Sequence, residues 1–151
     1  MKNSKKLTVS KEDYLKAIWS LSERRDEGKS EAGTNDLAEM LLVSPPAVSR
    51  MLKRMEKESL VAHTPYYGVR LTDKGRKVAV RIVRRHRLLE LFLWKILQYD
   101  ENSVHDEAER LEHHISEEFE QKIDELLGFP KQCPHGSPIP SREGNFQALK
   151  N

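Results

Sequence analysis

Cysteine is nearly absent from this chain of 151 residues, since Cys133 is the only one. A single cysteine cannot form a disulfide within the chain, so no internal disulfide framework holds this fold together. Long apolar runs are also lacking, and the chain begins with polar residues rather than an apolar signal segment. We therefore predict a cytoplasmic protein with no membrane partner. The length allows one sizeable core or two small domains.

Motifs of several enzyme classes are absent as well. The chain has no Glu-x-x-His or His-Glu-x-x-His motif, no nucleophile elbow and no phosphate-binding loop. A carboxylate-bridged di-iron enzyme needs ligands from several helices of one bundle, typically with repeated Glu-x-x-His motifs. We therefore predict that the chain is not an enzyme, and keep a carboxylate-bridged metalloenzyme only as a minor alternative.

The formal net charge of +2 conceals an uneven distribution of charge along the chain. Residues 44–95 contain 13 Lys and Arg against 4 Asp and Glu, whereas residues 99–127 contain 2 against 11. This asymmetry indicates a basic half that binds a polyanion and an acidic half that serves metal or dimer contacts.

Residues 34–57 have the pattern of two short helices joined by a tight turn at Leu42-Val43-Ser44. The second helix begins near Pro45, because proline is favoured in the first turn of a helix. A preceding helix is predicted with Ser10 as its N-cap. Apolar residues of the second short helix face inward, and its other side chains are candidates for DNA contact: Ala47, Ser49, Arg50, Lys53 and Arg54.

Two short strands, residues 60–64 and 69–71, are predicted on either side of the turn Pro65-Tyr-Tyr-Gly68. A hairpin after a helix-turn-helix is typical of a winged helix, and the basic surface favours DNA as the ligand. His63 and Tyr66 are either wing contacts to DNA or strand-packing residues. A winged-helix regulator that binds DNA without any metal is the alternative to a metal sensor.

Metal-ligand residue types recur on two predicted helices, Asp73 to Leu97 and Val104 to Leu127. On the second helix, one face of roughly 100° collects His105, Glu109, Glu112 and His113. Carboxylate and imidazole without thiolate favour a hard divalent ion such as Mn²⁺ or Fe²⁺ over structural zinc. His86 and Glu90, one turn apart on the first helix, are candidates for a second part of the site. The alternative is an ordinary solvated helix face.

Five segments together resemble the diphtheria toxin repressor and manganese transport regulator family. They are Asp13-Tyr-Leu15, Val43-Ser-Pro-Pro-Ala-Val-Ser49, Arg85-His-Arg-Leu-Leu-Glu90, Val104 to His113, and Cys133-Pro-His-Gly-Ser-Pro-Ile-Pro140. The resemblance covers residues 8–142. It implies a mainly α protein with an N-terminal winged helix-turn-helix, followed by a helical dimerisation domain. Members of that family are metal-activated repressors that bind operator DNA as homodimers.

The resemblance also implies site residues. It puts Asp13, Glu109, Glu112 and His113 in a main metal site, and matches His86, Glu90 and His105 to an ancillary site. It makes Ser44 and Pro46 base contacts, and it makes the loop with Cys133 and His135 structural.

The metal expected from the resemblance is Mn²⁺. Asp13 and Glu109 are typical of the manganese branch, whereas the iron-responsive members have Met and Cys at these two places. Lys16 departs from the manganese pattern, which has a metal-binding Glu there. Fe²⁺ is the alternative effector, and Zn²⁺ or Co²⁺ are possible ligands in vitro.

We predict three segments: a DNA-binding domain at 1–73, a metal-binding and dimerisation domain at 74–142, and a tail at 143–151. A metal joining Asp13 to ligands of the second domain would favour the orientation in which both recognition helices of a dimer reach successive major grooves. The predicted function is metal-activated repression of metal uptake genes.

Overall fold

The computed structural model describes residues 9–24 and 31–146. They form two compact units that divide between Ala79 and Val80, while the predicted domain boundary at residue 73 stays a prediction. Within the described residues the elements are α1 Val9–Arg24, α2 Thr34–Leu41, α3 Pro45–Lys57, β1 Val61–Thr64, β2 Gly68–Leu71, α4 Asp73–Lys95, α5 Val104–Leu111 and α6 Glu117–Leu126. The prediction of a mainly α protein is confirmed.

The first unit contains α1, whose apolar face supplies part of the core through Leu15, Ile18 and Trp19. Val9 and Ser10 are both helical and the described part of α1 starts at Val9, so Ser10 lies inside α1 and the prediction that it caps the helix is wrong. Helix boundaries inferred from sequence commonly shift by one or two residues, because several polar residues can take the capping position. Thr8 lies outside the described residues.

The helix-turn-helix of the first unit lies at residues 34–57, as predicted. α2 ends at Leu41, and its C-cap residue Leu42 adopts a left-handed conformation with φ 56°. α3 begins after Ser44, whose side chain accepts a hydrogen bond from the Ala47 amide at 3.3 Å. Val48 and Leu52 of α3 are buried, so the opposite face of this helix is left to solvent.

The wing is the antiparallel hairpin of β1 and β2, with Val61 opposite Leu71 and Thr64 opposite Gly68. Its base is joined to the strand-like residue Ala32, which exchanges two backbone hydrogen bonds with Val69 at 2.7 and 3.0 Å. This arrangement confirms the predicted winged helix-turn-helix.

The second unit packs the later part of α4 against α5 and α6. Its core consists of buried apolar side chains, chiefly Leu88, Leu89, Leu93, Val104, Ala108, Ile123 and Ile139. Burial of each large aliphatic side chain contributes about 1.5–3 kcal/mol, so this cluster is the main source of the unit's stability.

The prediction of one helix from Val104 to Leu127 is wrong. α5 ends at Leu111 and a separate helix begins after Ser116, whose side chain accepts a hydrogen bond from the Phe119 amide at 3.1 Å. Ser116 is a favourable N-cap, so a new helix starts there rather than continuing the old one. The intervening turn is held by Arg85, which donates to the Ile115 carbonyl at 3.0 Å. Glu112 and His113 therefore lie beyond α5 rather than on its face.

No helix in residues 9–24 or 31–146 is both long enough and apolar enough to cross a membrane.

Candidate metal centre and DNA-binding surface

His86 of α4 lies at the centre of a buried group of imidazoles and carboxylates in the second unit. Its Nδ1 is 2.6 Å from Glu112 Oε2, and its Nε2 is 3.0 Å from Glu90 Oε1. His86, Glu90 and Glu112 are all buried. Glu112 Oε1 in turn lies 3.3 Å from His113 Nε2. Four side chains thus alternate carboxylate and imidazole, from Glu90 through His86 and Glu112 to His113.

The break between α5 and α6 explains why Glu112 reaches His86. Glu112 is the C-cap residue of α5, where the chain leaves the helix. Its side chain has no exposed surface and meets α4 instead of projecting from the outer face of α5. The two ion-pairing residues are 26 positions apart in sequence, so no local helical pattern brings them together.

His105 and Glu109 form a more exposed branch of this group on α5. His105 Nε2 lies 3.3 Å from Glu109 Oε1, and both side chains are about half exposed. His105 Nδ1 is also 3.2 Å from His86 Nε2, and the two rings meet edge to face with centroids 4.8 Å apart. One ligand atom each from His86, Glu90 and His105 can therefore share a single cation, since these atoms lie within 4.8 Å of one another.

Glu90 belongs to a second group of ligand types, together with Cys133 and His135 of the loop that the sequence interpretation took as structural. Its Oε2 lies 3.2 Å from Nδ1 of His135, and the buried thiol of Cys133 offers a third ligand atom within 4.8 Å. The loop that carries them is tight, because Ser137 accepts from the Cys133 amide at 2.9 Å. The Cys-x-His spacing was the signal in the sequence for this group, because two metal-ligand residues separated by one residue in a turn can lie on the same side of a loop.

The pKa of Glu90 reflects these neighbours. Burial by itself raises the pKa of this carboxyl group, but the hydrogen bond with His86 and the charges of His86, His135 and His105 lower it, and the net result is a lowered pKa. Glu90 is therefore held in its ionised form, which is the form that binds a cation.

The donor set of these residues suits a divalent cation. Glu90 and Glu112 place two buried carboxylates on either side of the His86 imidazole. The group around His86, Glu90 and His105 offers only nitrogen and oxygen, which suits Mn²⁺ or Fe²⁺, whereas Cys133 adds a soft sulfur ligand to the second group.

Asp13 lies on α1 in the first unit, where its side chain is partly buried. Its membership of a metal site stays a prediction, as do the predicted roles of Glu109, Glu112 and His113 in the main site.

The DNA-binding candidates of the first unit lie at the start of α3 and along it. Ser44 and Pro46 precede or open the helix and are exposed, and Ala47 is partly buried beside them. The exposed face of α3 then continues through Ser49, Arg50, Lys53 and Arg54. The side chains at the N-terminal end of this surface are small, which suits contact with base edges. The side chains farther along are cationic, which suits contact with phosphates.

Arg50 also lies near Tyr14 of α1. Burial raises the pKa of the Tyr14 phenol, and the positive charge of Arg50 partly opposes that rise. This electrostatic interaction couples the exposed face of α3 to a buried side chain of the same unit.

The two wing residues considered for DNA contact are both exposed. His63 of β1 and Tyr66 of the turn face solvent, so the strand-packing interpretation is wrong for both. Each lies near the end of the hairpin, where side chains leave the packed base of the wing.

Two family models match the chain over most of its length. The iron dependent repressor N-terminal DNA binding domain matches residues 6–69, and the iron dependent repressor metal binding and dimerisation domain matches residues 72–141. The chain is 38% identical over 122 residues to the HTH-type transcriptional regulator MntR of Bacillus pumilus (strain SAFR-032), which is 81% of both proteins.

Solved structures agree with these matches. A manganese-dependent transcriptional repressor in complex with manganese superposes with a TM-score of 0.83 at 42% identity, covering 92% of this chain and 62% of that one. The manganese regulator SloR superposes with a TM-score of 0.80 at 43% identity, covering 93% of this chain and 64% of that one. The chain thus spans a little under two thirds of the length of these two structures' chains.

Proposed function

Because this chain belongs to the iron-dependent repressor family, we propose that it is a homodimeric repressor that binds operator DNA when Mn²⁺ is bound. The family consists of metal-dependent DNA-binding regulators, and we propose regulation rather than catalysis for this chain. Fe²⁺ is the alternative effector, and metal uptake genes are the proposed targets. A cytoplasmic location is consistent with this role.

The observation that carries the proposal is the buried set of His86, Glu90 and Glu112 in the second unit. Two buried carboxylates on either side of one imidazole bring oxygen and nitrogen donors together, and this donor set suits a divalent cation such as Mn²⁺ or Fe²⁺. The preference for Mn²⁺ is supported by the MntR relative and by the two manganese-regulator structures.

We assign the ligands in three sets. His86, Glu90 and His105 hold one cation, as the juxtaposition of their ligand atoms supports. Glu90, Cys133 and His135 form a second candidate group that shares Glu90 with the first. The resemblance of the sequence to its family supports a main site made of Asp13, Glu109, Glu112 and His113.

DNA recognition is assigned to the first unit. The Ser44 hydroxyl oxygen already accepts from the Ala47 amide, so its proton is available to donate to an acceptor on a base edge. Pro46, Ala47 and Ser49 present small side chains that let α3 approach the floor of the major groove. Arg50, Lys53 and Arg54 supply salt-sensitive attraction to phosphates.

The test is DNA binding by the metal-stripped protein at fixed salt, titrated separately with Mn²⁺, with anaerobic Fe²⁺ and with Zn²⁺. The probe is a duplex selected from a random library by the Mn²⁺-loaded protein. We expect Mn²⁺ to tighten binding roughly tenfold or more, a coupling typical of allosteric effectors. Equal binding with and without every metal would instead support a metal-independent winged-helix regulator.

The variant Glu112→Gln tests whether the stimulation of DNA binding by Mn²⁺ arises at the proposed metal centre. This change removes a buried negative charge beside His86, so we expect stimulation of DNA binding by Mn²⁺ to be lost while the folded state remains. Glu118→Gln, an exposed position on α6, is the matched control and should keep full stimulation. Full stimulation of Glu112→Gln would contradict the assignment of Glu112.

A further inference from the structure

The turn between α5 and α6 carries two of the proposed metal ligands, Glu112 and His113. Its start belongs to α5, because Glu112 is the C-cap residue of that helix. Its end is tied to α4, because Arg85 Nη1 donates a hydrogen bond to the Ile115 carbonyl at 3.0 Å. Arg85 directly precedes His86, whose Nδ1 lies 2.6 Å from Glu112 Oε2. The contact with Ile115 therefore fixes the turn against the helix that carries other ligands.

The guanidinium of Arg85 is itself held by Glu120 of α6. Arg85 Nε lies 3.7 Å from Glu120 Oε1, and the two side chains are only 11% and 9% exposed. A guanidinium is planar and rigid, so a partner on its Nε side also sets the direction in which Nη1 points. Glu120 lies in the first turn of α6, where its amide donates to the Ser116 carbonyl at 3.0 Å. A chain of contacts thus runs from α6 through Arg85 to the Ile115 carbonyl.

Arg84 shares the Glu120 carboxylate but depends on it less. Arg84 Nε lies 3.6 Å from the same oxygen, Glu120 Oε1. Its terminal nitrogens also donate to the Asp124 carboxylate at 2.8 Å and to the Pro140 carbonyl at 3.0 Å. Loss of Glu120 would leave Arg84 with these two partners, whereas Arg85 would lose the carboxylate that orients it.

The pair of Arg85 and Glu120 supplies direction more than stability. Removing two charges from water is costly, and apolar side chains of similar volume are often equally stabilising in the same place. Apolar side chains could also join α4 to α6, but they could not donate a hydrogen bond to the Ile115 carbonyl. A charged donor forms a short and directional hydrogen bond, and this bond orients the backbone at the end of the turn.

We propose that Arg85, oriented by Glu120, is a positioning residue for the metal centre. It holds the turn so that Glu112 and His113 lie where they can bind a cation together with ligands of α4. The inference rests on the proposed metal-dependent function, and it adds two residues that do not themselves bind the cation. Groups that orient metal ligands from outside typically contribute roughly tenfold to a hundredfold to metal affinity.

The test is a double variant, Arg85→Met with Glu120→Met, which replaces the ion pair by apolar side chains. Its net charge equals that of the wild type, so the long-range attraction of the cation is kept. We expect the metal-free full chain to keep its midpoint of urea unfolding. The dissociation constant for Mn²⁺, measured from the electron paramagnetic resonance signal of the free ion, should rise roughly tenfold or more. The visible absorption spectrum of bound Co²⁺ should also change, because the ligands around the cation are displaced.

Glu107 and Arg110 of α5 provide the matched control. They form an ion pair at 3.3 Å, and their side chains are 30% and 74% exposed. Glu107→Gln with Arg110→Gln removes the same two charges from the second unit, so this variant should keep the wild-type affinity and Co²⁺ spectrum. Arg85→Lys keeps the charge but not the planar group, and it should lose an intermediate part of the affinity.

The outcomes distinguish this inference from the proposed function. If Glu112→Gln weakens Mn²⁺ binding but the double variant binds Mn²⁺ as tightly as the wild type, the positioning role is wrong. If the double variant does not fold, Arg85→Lys decides, and wild-type affinity in that variant contradicts the inference. If Mn²⁺ binds the wild type without stimulating DNA binding, the proposed repressor function fails while the positioning role stands. If Mn²⁺ does not bind the wild type, both fail.

Discussion

At the residue scale, the two nitrogens of His86 explain the chemistry of the metal centre. Each nitrogen faces a different carboxylate, Glu112 on one side and Glu90 on the other. Glu112 also lies 3.3 Å from His113, and Glu90 lies 3.2 Å from His135. Carboxylate oxygens and ring nitrogens thus lie side by side, and this donor set suits a divalent cation that prefers oxygen and nitrogen.

The ionisation of Glu90 gives the stability of the fold a measurable dependence on pH. Its pKa in the folded protein is lowered, since the hydrogen bond with His86 and the charges of the neighbouring histidines outweigh burial, which alone raises it. The ionised carboxylate therefore stabilises the fold above the usual glutamate pKa of about 4.3. That contribution is lost as the pH falls through the lowered value.

We expect the metal-free wild-type protein to lose stability more steeply than Glu90→Gln below about pH 4.3. The reason is that glutamine removes the group whose pKa differs between the folded and unfolded states. The measurement is the free energy of unfolding by urea at a series of pH values from neutral to acid. Parallel curves for the two proteins would show that Glu90 does not carry this dependence.

At the element scale, α4 holds the second unit together through its arginines. Arg84 donates to the Pro140 carbonyl at 3.0 Å and to Asp124 at 2.8 Å, and Arg85 donates to the Ile115 carbonyl. Arg87 donates to the Pro138 carbonyl. The helix that carries His86 and Glu90 therefore also fixes the loop after Cys133 and the turn before α6. Some of the basic residues that the sequence analysis assigned to a polyanion-binding half therefore make hydrogen bonds within the protein instead.

The separate start of α6 gives a second prediction. Ser116→Ala removes the side-chain acceptor for the Phe119 amide, and loss of an N-cap of this kind costs about 1 kcal/mol. We expect a lower urea midpoint with an unchanged slope of the unfolding free energy.

Ser116→Asp is the matched control, because aspartate caps as well as serine and its charge is favourable at a helix N-terminus. This variant should retain wild-type stability. Equal loss of stability in both variants would mean that the serine hydroxyl acts through some contact other than the cap.

At the scale of the whole molecule, the second unit exposes several large apolar side chains. Trp94 of α4 and Ile96 and Leu97 just after it are exposed, and Phe119 of α6 meets Phe92 edge to face. Large exposed apolar residues of this kind are typical of an interface. The match to a dimerisation domain over residues 72–141 is consistent with a partner on this unit.

Phe119→Glu places a charge among these apolar side chains. We expect the dimer dissociation constant to rise about tenfold or more, since a charge buried in an interface loses its hydration. Analytical ultracentrifugation measures the change, and thermal unfolding of the same samples verifies that the variant is folded. Gln121→Glu adds the same charge at an exposed polar position of α6 and should leave dimerisation intact. An unchanged dissociation constant for Phe119→Glu would exclude Phe119 from the interface.

Much of the first unit follows from local sequence patterns. Val48, Leu52 and Met55 repeat at helical spacing, and Pro45 and Ser44 mark the start of the same helix, so α3 and its exposed face were predictable. The hairpin was predictable for a similar reason, because its strands flank a proline-containing turn. The left-handed conformation of Tyr66 in that turn, with φ 68°, was not predicted from the sequence.

The candidate metal centre was predictable only in its residue types. The sequence by itself determined that His86, Glu90 and the ligands from His105 to His113 would be available, because helical spacing and composition are local properties. The tertiary structure decided which of them meet. Glu112 turns toward His86 because Ser116 starts a new helix, and Glu90 meets Cys133 and His135 because the arginines of α4 hold a distant loop. Such contacts depend on packing between segments far apart in the chain, and no periodicity within one segment encodes them.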